Sequence, residues 1–155
     1  MPLRLKEKST GVFKGAAGVP HAVTVLENRE EWNTLDVKKF GAFLRYHPLF
    51  APDGANADFL FFRGGEKQKK IPEISIRTYE RGVEEETLCC GTGCSSSAVV
   101  LRKFFSFPEK LRLFCRKGDE IDIEIIEEWN ILKGVYLAGP AETVFSGTLS
   151  FEDEK

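Results

Sequence analysis

A cysteine stands directly before a glycine-rich segment that begins a predicted helix. Cys90 is followed by Gly91, Thr92 and Gly93, and apolar residues then recur at helical spacing. The first N–H groups of a helix have no partner within it, so they can bind a carboxylate, and glycine lets the backbone approach a ligand closely. The helix end, with Arg81 nearby in sequence, is expected to lower the pKa of the thiol. The segment predicts a thiolate that acts on an anionic substrate; the alternative is a small buried cysteine that only begins a helix.

The other cysteines, Cys89, Cys94 and Cys115, bring the total to four. Residues 1–8 lack the apolar run of a signal peptide, which predicts a cytosolic chain with reduced thiols rather than disulfides. A metal site could use the four sulfur atoms, but the Cys-Cys-x-x-x-Cys spacing is not a usual zinc pattern. We therefore predict no metal site, and we interpret Cys89 and Cys94 as packing residues.

The elements that must position Cys90 have an α+β pattern. Strands are predicted at residues 21–27, 59–63, 71–79, 110–117, 120–127, 131–137 and 142–151. A short helix follows Asp36, and a second helix, roughly Gly91–Phe105, has an apolar stripe formed by Cys94, Ala98, Leu101 and Phe105. We expect one domain, residues 1–155, in which a mostly antiparallel or mixed sheet wraps around a central helix with a second, shorter helix.

Composition narrows the classes of function. The net charge is −2 and no stretch approaches the roughly 18 apolar residues of a membrane span, so neither nucleic acid nor a membrane is a predicted partner. The basic cluster Lys67, Lys69 and Lys70 and the acidic run Glu84, Glu85 and Glu86 are interpreted as solvated loops.

Four ordered motifs resemble the diaminopimelate epimerase family. The segment Glu80-Arg81-Gly82 followed by Glu86-Thr87-Leu88-Cys89-Cys90-Gly91-Thr92-Gly93 is similar to its second catalytic motif. The other three are Gly18-Val19-Pro20-His21, His47-Pro48-Leu49-Phe50 through Gly54-Ala55-Asn56, and Leu137 to Phe145. The resemblance extends from about residue 17 to about residue 149 and corresponds to the C-terminal half of the family.

The resemblance implies a reaction and roles for seven residues. Members of this family invert an α-carbon without pyridoxal phosphate or metal, in the cleft between two similar halves, by means of two acid/base cysteines. It implies that Cys90 is one of these cysteines and that Glu80 and His21 support the acid/base step and hold the amino group. It also implies that N–H groups of Gly91 and Thr92 bind the substrate α-carboxylate. Arg81 and Asn56 would contact the distal end of diaminopimelate, an intermediate of lysine synthesis.

The first catalytic cysteine of the family has no counterpart in this sequence. We expect either a complementary N-terminal half or, less readily, a homodimer to supply the second acid, and we expect residues 147–151 to be frayed or captured by a neighbouring chain. Val19 replaces an asparagine that some members use for substrate contact. The alternatives are a non-catalytic or partner-dependent binding domain and a proline racemase-like enzyme.

Overall fold

The computed structural model describes residues 12–150, which form an eight-stranded sheet with three α-helices. The strands are β1 (Val12–Ala16), β2 (Pro20–Val25), β3 (Asn56–Phe61), β4 (Glu73–Glu80), β5 (Glu85–Thr87), β6 (Lys110–Phe114), β7 (Glu120–Glu128) and β8 (Ile131–Ala138). The helices are α1 (Arg29–Thr34), α2 (Val37–Arg45) and α3 (Gly91–Phe105), and 3₁₀ turns occupy Pro48–Phe50 and Glu66–Gln68. The predicted α+β class is confirmed.

The sheet is mixed and has the order β1-β2-β3-β4-β6-β7-β8, with β5 paired to one end of β4. The pairs β2–β3 and β4–β6 are parallel and the other neighbours are antiparallel. The predicted hairpin around Gly118 is present as β6 and β7. Gly118 has φ of +90°, a conformation that glycine adopts without the steric cost of a side chain.

Local sequence explains both predicted helices. The Asp36 side chain caps α2 by accepting a hydrogen bond from the Lys39 N–H group at 3.0 Å. Helix α3 ends at Ser106, whose φ of 59° is left-handed. The predicted stripe of α3 is buried at Cys94, Ala98 and Leu101, and Phe105 is partly buried. Helix α1 was not predicted, because six residues are too few to show a helical period.

Two hydrophobic cores cover the two faces of the central strands. Alternate residues of these strands, including Val23, Leu60 and Ile76, pack with the buried stripe of α3. The intervening residues, including Ala22, Phe59 and Tyr79, pack with Val37 and Leu44 of α2. Strands β2 and β3 are therefore buried on both faces, because side chains alternate between the two sides of a strand.

The strand predicted at residues 142–151 is wrong for the part that the structure describes. Residues 139–150 form no strand, and Val144, Phe145 and Leu149 are exposed. The strand pattern alone is not sufficient, because a strand also needs a neighbour for its backbone hydrogen bonds, and β8 pairs only with β7 within the described sheet. Phe151 and residues 1–8, with the signal-peptide prediction, lie outside the described residues, as do both ends of the predicted 1–155 domain.

The interpretation of residues 84–86 as a solvated loop is also wrong. Glu86 lies at the β5 strand, is largely buried and accepts two hydrogen bonds from the Arg77 guanidinium at 2.7 and 2.8 Å. Glu84 accepts hydrogen bonds from the Arg45 guanidinium at 3.2 Å and from the Tyr79 hydroxyl at 3.1 Å. The acidic run therefore binds the β4–β5 turn to neighbouring elements through hydrogen bonds and ion pairs.

Between residues 12 and 150, no helix is long and apolar enough to cross a membrane.

Candidate active site

The site begins where the core of the sheet changes from apolar to polar residues. On the face that packs against α3, His21 stands two residues before Val23 in β2, and Asp58 stands two residues before Leu60 in β3. The strand register sets His21 of β2 opposite Asn56 of β3, and Asp58 opposite Thr78 of β4. Side chains from three adjacent strands therefore meet near the start of α3.

His21 is fully buried and is held on both ring nitrogens. Its Nδ1 atom lies 2.7 Å from Oδ2 of Asp58, and both side chains have 0 % exposure. Its Nε2 atom lies 3.1 Å from the Thr92 hydroxyl oxygen and 3.3 Å from the Asn56 amide nitrogen. A buried polar ring with this many partners is fixed in orientation.

Cys90 occupies the N-cap position of α3, as the sequence predicted. Its backbone is extended, and its sulfur lies 3.4 Å from the Thr92 hydroxyl. Gly91 and Thr92 are exposed, so the free N–H groups of the first turn are open to a ligand. The arrangement places a thiol, a hydroxyl and a buried imidazole next to the N-terminus of a helix.

The prediction of a lowered Cys90 pKa is wrong. Burial is the largest effect and raises the pKa of the thiol, while the Thr92 hydroxyl and the Gly93 N–H lower it; the negative charges of Asp58 and Glu80 raise it further. Arg81, which was expected to help lower this pKa, is not among the groups that shift it, and its guanidinium donates to the Asp53 carbonyl at 3.3 Å.

The remaining predicted residues lie around this centre with different roles. The Asn56 oxygen accepts a 2.7 Å hydrogen bond from the Arg81 backbone N–H, and its nitrogen faces His21, so the buried amide is engaged at both ends. Glu80 ends β4 and acts on Cys90 through its charge. All seven predicted residues thus belong to one region of the molecule, and their roles toward a substrate stay predictions.

The prediction that all the cysteines are reduced thiols is wrong as well. Cys89 and Cys115 form a disulfide, and Cys94 is a free thiol whose sulfur lies 3.9 Å from that of Cys115. The three sulfur atoms lie within 4.8 Å of one another. Burial raises the pKa of Cys94 to about 12. The disulfide ties the residue before Cys90 to the end of β6, which sequence spacing could not reveal.

A cavity of about 450 Å³ lies elsewhere, between α1 and the β6–β7 turn. Its lining includes Trp32, Arg77 and Arg116 and none of the seven predicted residues.

Known proteins with similar sequences give the site a family context. The chain is 39 % identical over 148 residues to the diaminopimelate epimerase of Hydrogenobaculum sp. and 37 % identical over 147 residues to that of Aquifex aeolicus. It is 40 % identical over 131 residues to the diaminopimelate epimerase of Chlamydia trachomatis. The chain is homologous to the diaminopimelate epimerase family. These matches cover 83–94 % of the chain but only 42–48 % of each relative, so it spans about half the length of these epimerases.

A solved structure supports the fold of the epimerase-like chain. A protein of the phenazine biosynthesis PhzF family from Enterococcus faecalis superimposes with a TM-score of 0.51 at 21 % identity, over 72 % of this chain and 35 % of that one. At this identity the match concerns the fold alone. A comparison with protein-family models finds no match.

Sequence reasoning missed Asp58 and Thr78, which are hydrogen-bonded to the predicted residue His21 directly and through Asp58, respectively. The Thr78 hydroxyl donates to Oδ1 of Asp58 at 2.8 Å, and both residues are buried. The signal was the separation of two residues between Asn56 and Asp58, which sets both side chains on one face of a strand. A buried aspartate in a strand whose other residues, apart from Asn56, are apolar indicates a specific partner.

Proposed function

We propose that this chain is the Cys90-bearing half of a cofactor-independent epimerase that acts on LL- or meso-diaminopimelate. The observation that carries the proposal is the position of Cys90 at the N-cap of α3, 3.4 Å from a hydroxyl that touches buried His21. The relatives named diaminopimelate epimerase supply the substrate.

In the proposed reaction, the substrate α-carboxylate lies against the N–H groups of Gly91 and Thr92. The helix end stabilises the negative charge that develops as the α-proton leaves, because its N–H groups already point toward that charge. The Cys90 thiolate takes the α-proton from one face of the carbon, and another acid returns a proton to the opposite face. Glu80 holds the amino group and Arg81 faces the distal end of the substrate, while buried His21 supports the acid/base step and Asn56 holds the His21 ring and the Arg81 backbone in place.

A second chain or a second half is proposed as the source of the other acid. Within residues 12–150, the remaining thiols do not suit that role: Cys89 and Cys115 are joined, and Cys94 is buried with a pKa of about 12. Exposed apolar side chains support an interface on β8 and the segment after it, namely Tyr136, Leu137, Val144, Phe145 and Leu149. A complementary N-terminal half is the first candidate and a second copy of this chain the other.

The test is exchange of the α-proton of diaminopimelate in D₂O, followed by NMR. Wild type is compared with Cys90→Ala and with the matched control Cys94→Ala, each alone and mixed with the N-terminal half of a related epimerase. Loss of exchange in Cys90→Ala but not in Cys94→Ala supports the proposal, and inversion only in the mixture supports a complementary half. Exchange that survives Cys90→Ala would refute the assignment of the base.

A binding domain without catalysis is the second candidate, because the raised pKa of Cys90 leaves its thiol protonated at neutral pH. Calorimetry distinguishes it: diaminopimelate that binds without exchange, even with the complementary half, favours binding alone. Proline and hydroxyproline in the same titration test a proline racemase-like specificity.

We retain the cytoplasm as the proposed compartment, and the disulfide state of Cys89 and Cys115 in cell extracts is a direct check.

A further inference from the structure

Asp58 is a fully buried carboxylate that the proposed reaction does not use directly. A buried charge is costly unless it is paired and hydrogen-bonded. Asp58 meets that requirement on both oxygens, through the Thr78 hydroxyl at 2.8 Å and Nδ1 of His21 at 2.7 Å. A Cβ atom at Gly93 would lie 2.5 Å from Oδ1 of Asp58, so the first turn of α3 packs closely on this pair.

The contacts of Asn56 determine which ring nitrogen of His21 carries the proton. The Arg81 N–H donates to the Asn56 oxygen, so the Asn56 NH₂ group is the end that faces Nε2 of His21. An NH₂ group only donates, so Nε2 must be the acceptor and Nδ1 must carry the hydrogen that points to Asp58. The Thr92 hydroxyl can then donate to Nε2 and accept from the Cys90 thiol.

We propose that Asp58 is a positioning residue that holds His21 in its Nδ1–H tautomer, and that the Thr92 hydroxyl relays the thiol proton of Cys90 to Nε2 of His21. The relay rests on the proposed function, because its purpose is to form the Cys90 thiolate that takes the α-proton. The S–H bond of Cys90 breaks as its proton passes to the Thr92 oxygen, and the Thr92 hydroxyl proton passes to Nε2. The products are a thiolate and an imidazolium beside the Asp58 carboxylate; two transfers move one proton net from Cys90 to His21, the Thr92 hydroxyl is restored, and no other reactant is needed.

The tautomer of His21 is measured by long-range ¹H–¹⁵N NMR on wild type, Asp58→Asn and the matched exposed control Asp119→Asn. In Asp58→Asn, the Thr78 hydroxyl still selects the amide oxygen, so an NH₂ group faces Nδ1 as well as Nε2 and the Nδ1 hydrogen loses its acceptor. We expect the Nδ1–H form in wild type and Asp119→Asn, and a mixture of both tautomers in Asp58→Asn. The other histidine, His47, accepts the Leu49 N–H on Nδ1 and is an internal reference for the Nε2–H form.

The relay is measured by the rate of Cys90 alkylation near neutral pH in wild type, Thr92→Ser and Thr92→Val. Serine keeps the hydroxyl and is expected to keep the rate, whereas valine removes it and is expected to slow alkylation by about tenfold or more. Asp58→Asn should slow it as well. A Thr92→Val variant that reacts like wild type overturns the relay.

Neither measurement uses diaminopimelate, so a failure of the proposed epimerase activity leaves both results interpretable. An Nε2–H form of His21 in wild type overturns the role of Asp58, even where Asp58→Asn does not fold. An unchanged tautomer in a folded Asp58→Asn variant overturns it too.

Discussion

The Cys89–Cys115 disulfide is expected to contribute several kilocalories per mole to the stability of the chain. The two residues are 26 positions apart, and the loop that they close contains all of α3 and β6. A cross-link of that span removes loop-closure entropy from the unfolded chain, which corresponds to about 3.5 kcal/mol at 25 °C. Reduction should therefore lower the free energy of unfolding by about 2–4 kcal/mol.

Urea unfolding at pH 7, with and without a phosphine reductant, measures this contribution. Wild type should lose stability on reduction, whereas a Cys89→Ser/Cys115→Ser variant should be less stable from the start and insensitive to the reductant. Cys94→Ala is the matched control: it removes the third sulfur of the cluster but should keep the full response to reduction. The reasoning is refuted if the unreduced, denatured protein titrates four thiols, or if reduction changes the free energy by less than about 1 kcal/mol.

Three further predictions concern packing and charge. Gly41→Ala should lower the free energy of unfolding by about 1–3 kcal/mol in urea, because its Cβ would overlap the Tyr79 side chain, whereas Gly134→Ala meets open space and should not. Burial alone would raise the pKa of Glu66, but its hydrogen bonds with Lys69 and the Glu73 N–H lower it. The extra free energy of unfolding of wild type over Glu66→Gln should therefore be complete above the ordinary pKa of 4.5 and disappear in more acidic solution. A stability difference that does not depend on pH would contradict this. Glu80→Gln should move the pH profile of Cys90 alkylation to lower pH, since the Glu80 charge raises the thiol pKa; an unmoved profile would refute that effect.

Elements with a strong periodic pattern could be predicted from the sequence. Helix α3 has the predicted bounds because Cys90 and its glycines mark the start and the stripe through Leu101 marks the buried side. The β6–β7 hairpin follows from strict alternation around a turn glycine. Strands β1 and β5 were not predicted: β5 has only three residues, and β1 (VFKGA) lacks the strict alternation that marks β7, so both depend on neighbours that a local pattern does not contain.

The candidate site was predicted as a set of residues but not as a network. The order of the motifs predicted Cys90, His21 and Asn56 as site residues, and the structure joins them through hydrogen bonds to the Thr92 hydroxyl and the His21 ring. The pKa of Cys90 could not be predicted, since it depends on burial and on the charge of Asp58, a residue that is 32 positions away in the chain. The acidic run was misread for a similar reason: the cations that pair with it come from β4 and α2.

The burial of the central strands determines which backbone amides exchange with solvent first. His21 and Asp58 share their strands with Val23 and Leu60, which are fully buried between α3 and the sheet. The backbone amides of these four residues should exchange with solvent deuterium only when the whole domain unfolds, because a smaller, local opening does not expose the middle of a buried sheet to solvent. The exposed segment 139–150, which belongs to no ladder, should exchange within seconds. Heating or mild denaturant should therefore affect residues 139–150 well before it disturbs the surroundings of Cys90, and protein in which this segment has come loose should still hold Cys90 beside the His21–Asp58 pair.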